Sequence, residues 1–301
     1  MPNPSRAAVI DLGTNSIKFI IAEKSPSNSL KVLHEQTVEI RIGKGVSQGQ
    51  HSLEDSAIEK ALGAIEHFKS TTEEYEVDQL RVVATSAVRD ALNKKTVIEN
   101  CKIRTGLALE VLSGESEASY IAQAIYFDPK LSKFAHLNLI DLGGGSLEFI
   151  QIKDAKLVRT DSLALGAVRL TEQFIPNPEL AIPLDALNSI QKQVADHIQS
   201  ANIHLSKDKP LLGSGGVFQI LQQLLGGSVL SNDDIRKLLN IIGSETIDKR
   251  IHKHGVPEKR ADIFPTALQV IDTVMRTFGI KEIQPSKFNL KFGILKEILQ
   301  L

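Results

Sequence analysis

Two stretches of this chain place small, polar and acidic residues at the same spacing. Residues 9–20 read Val-Ile-Asp-Leu-Gly-Thr-Asn-Ser-Ile-Lys-Phe-Ile, and residues 139–150 read Leu-Ile-Asp-Leu-Gly-Gly-Gly-Ser-Leu-Glu-Phe-Ile. The chemistry that such a set serves is phosphate binding. Gly13, Thr14, Asn15 and Ser16 in one copy, and Gly143, Gly144, Gly145 and Ser146 in the other, offer hydroxyls and unobstructed backbone N–H groups. Glycine permits positive φ and close approach of backbone to a ligand. Successive N–H groups pointing one way form a concavity for anions. One carboxylate precedes each turn, Asp11 or Asp141. A carboxylate repels bare phosphate, so a cation is expected between them, and Mg²⁺ (or Mn²⁺) commonly bridges carboxylate and phosphate oxygens. Glu148 stands where the other copy has Lys18. In an alternating strand Glu148 shares a face with Ser146, which lets it share a metal with Asp141. The plain alternative is that Glu148 and Lys18 face solvent. One such turn is an ordinary glycine hairpin, whereas two matching copies point to two related lobes gripping phosphate.

Each motif needs a strand before the turn and a strand after it, which gives hairpins over 7–23 and 137–153. A further strand is expected over Lys31–Ile42, ending in Arg41-Ile42-Gly43-Lys44-Gly45. Ser52 with Asp55 reads as the cap of a helix whose apolar positions run from Ala57 to Phe68 at helical spacing. A short strand over Gln79–Ala84, a helix through Ala87–Asn93, a strand over Leu107–Leu112 and a helix from Glu115 to Tyr126 follow. After 128–136, a polar stretch read as lobe boundary and hinge, the scheme repeats. Helices are expected over Pro183–Ile203, Val217–Leu225, 231–243 and 258–279, with an amphipathic helix over Phe292–Leu301. The expected fold is α/β, two lobes with mixed sheets and a cleft between them. The boundaries are 1–130 and 131–291, with the helix 292–301 packing back on the first lobe.

Composition narrows the function classes. The 301 residues suit two cores, and the formal net charge of −1 gives no global attraction to nucleic acid or anionic membrane. The single cysteine, Cys101, excludes an intrachain disulfide and a cysteine metal finger. No apolar run approaches the ~18–20 residues that span a bilayer, and no signal-peptide core is present. A cytoplasmic protein is expected. His252 and His254, the only close histidine pair, read as exposed.

The hairpins and four further segments resemble the exopolyphosphatase/guanosine-pentaphosphate phosphatase family, within the actin-like, sugar-kinase and Hsp70-type ATPase superfamily. The segments are Thr85-Ser86-Ala87-Val88-Arg89-Asp90-Ala91, Ser113-Gly114-Glu115-Ser116-Glu117-Ala118, Leu165-Gly166-Ala167-Val168-Arg169-Leu170-Thr171-Glu172 and Gly213-Ser214-Gly215-Gly216. The resemblance implies two actin-like (ribonuclease H-like) domains. It departs at Ser116, where the family has the first of paired glutamates. It departs again at Ser286-Lys287-Phe288-Asn289-Leu290-Lys291-Phe292-Gly293, bulkier than the family's glycine-rich loop. The helical domain of longer members has no counterpart here, which implies a shorter track for substrate.

The implied reaction is metal-dependent hydrolysis of a terminal phosphoanhydride, which needs positioning and charge neutralisation and a group to take a proton from water. The resemblance gives Glu117 the part of base, with Glu115 its neighbour and competitor. By residue pattern alone, Glu117 serves equally to complement a helix N-terminus. Arg89 is the implied phosphate clamp, since guanidinium is a planar donor fork. Arg41 and Lys44 are secondary candidates. Gly213, Ser214 and Gly215 would bind phosphate or a nucleotide, or only pack a helix on its strand. Inorganic polyphosphate and guanosine pentaphosphate fit alike as substrates. A small-molecule kinase and a non-catalytic polyphosphate or guanosine tetraphosphate sensor remain as alternatives. The resemblance further implies K⁺ stimulation and a homodimer.

Overall fold

The computed structural model describes residues 5–46, 51–127, 134–154 and 156–301. The chain divides into two compact units, the first formed by Met1–Lys133 with Phe288–Leu301 and the second by Phe134–Lys287. The hinge expected at 128–136 falls mostly outside the described residues.

Unit 1 opens with β1 (Arg6–Leu12), β2 (Ile17–Lys24) and β3 (Leu30–Val38), followed by α1 (Asp55–Glu74), β4 (Gln79–Ala84), α2 (Ser86–Asp90), α3 (Lys94–Thr105), β5 (Leu109–Val111) and α4 (Gly114–Ala124). Its sheet runs β3-β2-β1-β4-β5. β1 pairs antiparallel with β2 and parallel with β4, so the sheet is mixed. One face carries Ile10, Leu12, Ile17 and Phe19 into a core closed by α1. There Phe19 stacks on Phe68 with ring centroids 4.6 Å apart, a pairing worth about 0.5–1.5 kcal/mol beyond its area.

Unit 2 contains β6 (Leu137–Leu142), β7 (Leu147–Lys153), β8 (Lys156–Leu163), α5 (Ala167–Phe174), α6 (Leu184–Ser200), β9 (Leu211–Ser214), α7 (Gly216–Leu225), β10 (Leu230–Ser231), α8 (Asn232–Gly243), α9 (Ile247–His252), α10 (Phe264–Thr277) and β11 (Glu282–Pro285). Its sheet runs β10-β11-β9-β6-β7-β8. The antiparallel hairpin β6–β7 stands beside parallel β9, which repeats the β1–β2–β4 arrangement. The last element, α11 (Leu290–Leu299), belongs to unit 1 and packs on β1, β2 and α4. Both units have the mixed sheet expected of them.

Several boundaries differ from expectation. Ser52 does not cap α1: the helix starts at Asp55 behind an extended Glu54, and no side chain caps it. Asp55 in the first turn complements the dipole instead. The helix expected through Asn93 stops at Asp90, and α3 is a separate helix ended by Gly106 at φ 73°. The single helix expected over 258–279 is a 3₁₀ turn at Glu258–Arg260 followed by α10, with Pro265 in the first turn. The last helix is not amphipathic, since Leu290 to Leu295, Ile298 and Leu299 are all buried. At Gly293 an added Cβ would lie 1.8 Å from the Tyr120 carbonyl oxygen, so glycine is what lets α11 touch α4.

Candidate active-site elements

The two hairpins have the same register. Asp11 faces Lys18 across β1 and β2, and Asp141 faces Glu148 across β6 and β7. In each turn the first glycine N–H donates to the serine carbonyl, Gly13 to Ser16 at 3.1 Å and Gly143 to Ser146 at 3.0 Å. Of the two freedoms that glycine permits, positive φ is not used by Gly13, Gly143, Gly144 or Gly145. Close approach is the reason for glycine here, and it acts from outside the turn as well. A Cβ on Gly166 would fall 2.3 Å from Gly144 C and Gly145 N, and one on Gly43 would fall 2.4 Å from Thr14 Cγ2.

In unit 2 the consequence is directional. Gly143 O accepts from Ala167 N at 3.0 Å, and Gly144 O accepts from Val168 N at 2.8 Å and Arg169 N at 3.1 Å. Gly145 O accepts from Arg169 Nε at 2.8 Å. Three successive carbonyls therefore turn toward α5. In a trans peptide the N–H points opposite to its carbonyl, so the N–H groups of Gly144, Gly145 and Ser146 turn to the other side together. That is the geometry of a backbone anion site. Arg169 was not singled out from sequence, although Ala167-Val168-Arg169 repeats Ala87-Val88-Arg89.

Beside this turn stand two carboxylates. Glu148 is fully buried, which removes the reading of it as a solvent-facing strand residue, and Asp141 is half-buried. Ser162, its cross-strand neighbour on β8, donates to Glu148 Oε1 at 2.8 Å. Like charges directly opposite on neighbouring strands repel, and a divalent cation would remove that repulsion. Among the described residues no three His, Cys, Asp or Glu side chains gather to hold a metal. A pair suffices for Mg²⁺, which keeps waters and takes substrate oxygens for the rest of its shell. Ser214, fully buried, is the register partner of Asp141 on β9. Gly215 has φ 108°, and a Cβ there would lie 2.4 Å from Leu142 O. The Gly213–Gly216 turn thus packs under the hairpin, with the Arg260 guanidinium beside Gly216.

In unit 1, Lys18 Nζ lies 3.8 Å from Asp11 Oδ2. Asp11 is buried, and its Oδ1 has no hydrogen-bond partner among the described residues. Arg41 Nε donates to Asn15 Oδ1 at 2.5 Å, and Asn15 Nδ2 donates to Glu39 at 3.3 Å. Gly43 N donates to Thr14 O at 3.0 Å. The segment after β3 therefore supports the hairpin tip, while Lys44 is exposed. Thr85 N donates to Leu12 O, and Leu112 N donates to Ala84 O, so α2 and α4 both begin at the ends of the parallel strands β1, β4 and β5. Ligands of open α/β sheets bind at those carboxyl ends.

There Arg89 Nη1 donates to Glu117 Oε2 at 3.0 Å and to Leu112 O at 3.0 Å. Glu117 is buried and Glu115 exposed, which separates the two competitors. Ser113 caps α4 by accepting from Ser116 N, and the two serine hydroxyls pair at 2.9 Å. Ser116 thus serves the helix cap. His252 is exposed, whereas His254 is half-buried and bonds Glu245 at 2.5 Å, unlike the exposed pair expected. Cys101 is buried and free. No helix among the described residues is long and apolar enough to cross a membrane.

A model of the Ppx/GppA phosphatase family matches residues 20–301. Among solved structures, an exopolyphosphatase-like protein is 25% identical, with TM-score 0.88 over 98% of both chains. An exopolyphosphatase from Cytophaga hutchinsonii is 24% identical, with TM-score 0.84 over 98% of both chains. A Ppx/GppA family member from Aquifex aeolicus is 24% identical with TM-score 0.81, covering 99% of this chain and 98% of its own. These structures share the fold of this chain along nearly its whole length.

Proposed function

Because the chain belongs to the Ppx/GppA phosphatase family, we propose that it hydrolyses the terminal phosphoanhydride of inorganic polyphosphate and releases orthophosphate. The observation that carries this reading is the turn of the Gly143, Gly144 and Gly145 carbonyls toward α5. It leaves three N–H groups aligned on the opposite side, next to the Asp141–Glu148 pair. Anhydride phosphates are polyanions, and this arrangement of donors beside a cation site suits them.

The residues take the following parts. Gly144, Gly145 and Ser146 hold phosphate oxygens by backbone N–H groups, with the hairpin at Gly13, Thr14, Asn15 and Ser16 doing the same in unit 1 and Ser214 and Gly215 supporting the second hairpin from below. Asp141 and Glu148 would hold Mg²⁺ or Mn²⁺, with Ser162 orienting Glu148. Bound there, the cation neutralises charge on the phosphate. Asp11 is a further ligand candidate by virtue of its buried Oδ1. Glu117 takes a proton from water as the water oxygen bonds to the terminal phosphorus. The bridging P–O bond breaks in line, and the chain, one phosphate shorter, leaves with the bridging oxygen. Arg89 bears on the transferring group and on Glu117 together.

The family resemblance alone supports three further proposals, namely a cytoplasmic homodimer, K⁺ stimulation and guanosine pentaphosphate as an alternative substrate. Phosphate release from polyphosphates of defined length and from guanosine pentaphosphate, with Mg²⁺ and with EDTA, tests the reading. We expect metal-dependent release, faster from polyphosphate. Faster release from guanosine pentaphosphate would reassign the substrate. Absence of release from both by folded protein would sink the hydrolase reading and leave a polyphosphate sensor.

A further inference from the structure

Four charges meet on the face of the unit 1 sheet that α11 covers. Asp11 pairs with Lys18, and Glu35 pairs with Ile20. Positions two apart on a strand share a face, so Asp11, Lys18 and Glu35 all project to one side. The opposite side holds the apolar core of Ile10, Leu12, Ile17 and Phe19. The first turn of α11 delivers Lys291 to the charged side. Lys291 is 1% exposed, and its ammonium donates to Glu35 Oε1 at 2.8 Å. The Asn289 side chain sets that turn by accepting from Lys291 N at 3.3 Å. Burial pushes the ammonium pKa down. Glu35 and Asp11 pull it back, and Lys18 adds to the downward push.

A buried ammonium is costly unless its partners compensate, and α11 has other anchors. The other end of α11 is already held, since Glu297 accepts from Arg81 at 2.7 Å and from Tyr120 at 3.1 Å. Lys24 also reaches the Leu299 and Gln300 carbonyls. In the second hairpin the carboxylate at the corresponding position faces Glu148. In the first it faces Lys18.

We propose that Lys291 is a positioning residue for the first hairpin: its bond to Glu35 and the Lys18–Asp11 pair set alternating charges on one face of β1, β2 and β3, an arrangement that fixes the Asp11 carboxylate where hydrolysis uses it. The proposal rests on the hydrolase reading above. Groups that orient a working carboxylate typically cost ~10–100-fold when removed. Lys291→Met is expected to lower kcat for polyphosphate by about that factor with KM little changed, and Lys291→Arg to restore most of it. Glu297→Gln weakens the seating of α11 at its other end. It should lower the melting temperature and leave kcat near wild type. Glu35→Gln, at a half-exposed position, is the second variant should Lys291→Met fail to fold, and its kcat falls in the same direction. Wild-type kcat in Lys291→Met or Glu35→Gln would overturn the proposal. So would equal kcat losses in Lys291→Met and Glu297→Gln at equal loss of melting temperature. A folded wild type that releases no phosphate would overturn the hydrolase reading itself, and this inference with it.

Discussion

Arg89 on α2 holds Glu117 on α4 by a 3.0 Å hydrogen bond, and Glu117 is 7% exposed while doing so. The proposed base is thus fixed by the proposed clamp. Arg89→Ala removes the donor proposed to act on the transferring group and leaves a buried carboxylate without that partner. We expect a kcat loss of about 10²–10³, as for other donors that stabilise transition-state charge. The same change should cost stability toward the lower end of the ~3–5 kcal/mol typical of a broken buried pair, because the arginine is partly exposed. Denaturant unfolding and steady-state kinetics measure both. Arg89→Lys should recover stability better than rate, since lysine lacks the planar fork.

Glu148 and Asp141 predict a metal response that stability alone can read. Without metal, Glu148→Gln should raise the melting temperature slightly by removing a like-charge pair. With Mg²⁺, wild type should gain melting temperature by mass action, and the variant should gain little. Thermal melts across a Mg²⁺ titration, with EDTA as baseline, measure this. An equal Mg²⁺ shift in both proteins would place the cation elsewhere.

Gly166 gives a steric test. Alanine there would drive Cβ to within 2.3 Å of the hairpin backbone, and we expect about 1–3 kcal/mol of destabilisation as for overpacking, with a raised KM. Gly63 on α1 has nothing within 4 Å of its Cβ position. Gly63→Ala should therefore stabilise by about 0.5–1 kcal/mol and leave KM unchanged. The pair separates loss of the phosphate turn from a general effect of adding a methyl group.

Asp78 anchors the start of β1, the strand that carries Asp11. Backbone hydrogen bonds from Arg6, then the hydroxyl and backbone N–H of Ser5, hold its carboxyl below the usual aspartate range. A depressed folded pKa stabilises above the unfolded value and is lost as pH falls through the folded one. The melting temperature of wild type should therefore exceed that of Asp78→Asn near neutrality, and the two should converge in acid.

The hairpins were legible in the sequence because one chemical requirement wrote the same Asp-Leu-Gly and Ser at matched spacing twice. Glu117 and Arg89 were named only through the resemblance; the structure pairs them at 3.0 Å and buries Glu117 while leaving Glu115 exposed. α3 was not anticipated because it buries only Val97, Cys101 and Thr105, too narrow a stripe to stand out. The last helix was expected to be amphipathic and to start at Phe292, whereas it starts at Leu290 and buries Lys291, whose partner Glu35 lies 256 positions away in sequence. The sequence did not show that Gly166 and Gly43, from other segments, press on the two turns. Such contacts arise only when distant segments meet.

The central claim is that Glu117 activates water in a metal-dependent hydrolysis, and the most direct test compares orthophosphate release from polyphosphate by wild type and Glu117→Gln in Mg²⁺. Glutamine keeps the size and an acceptor for Arg89 but cannot take the proton. The account predicts release that falls by about 10²–10⁴, with binding of polyphosphate and the melting temperature retained. Release at the wild-type rate from folded Glu117→Gln would contradict it.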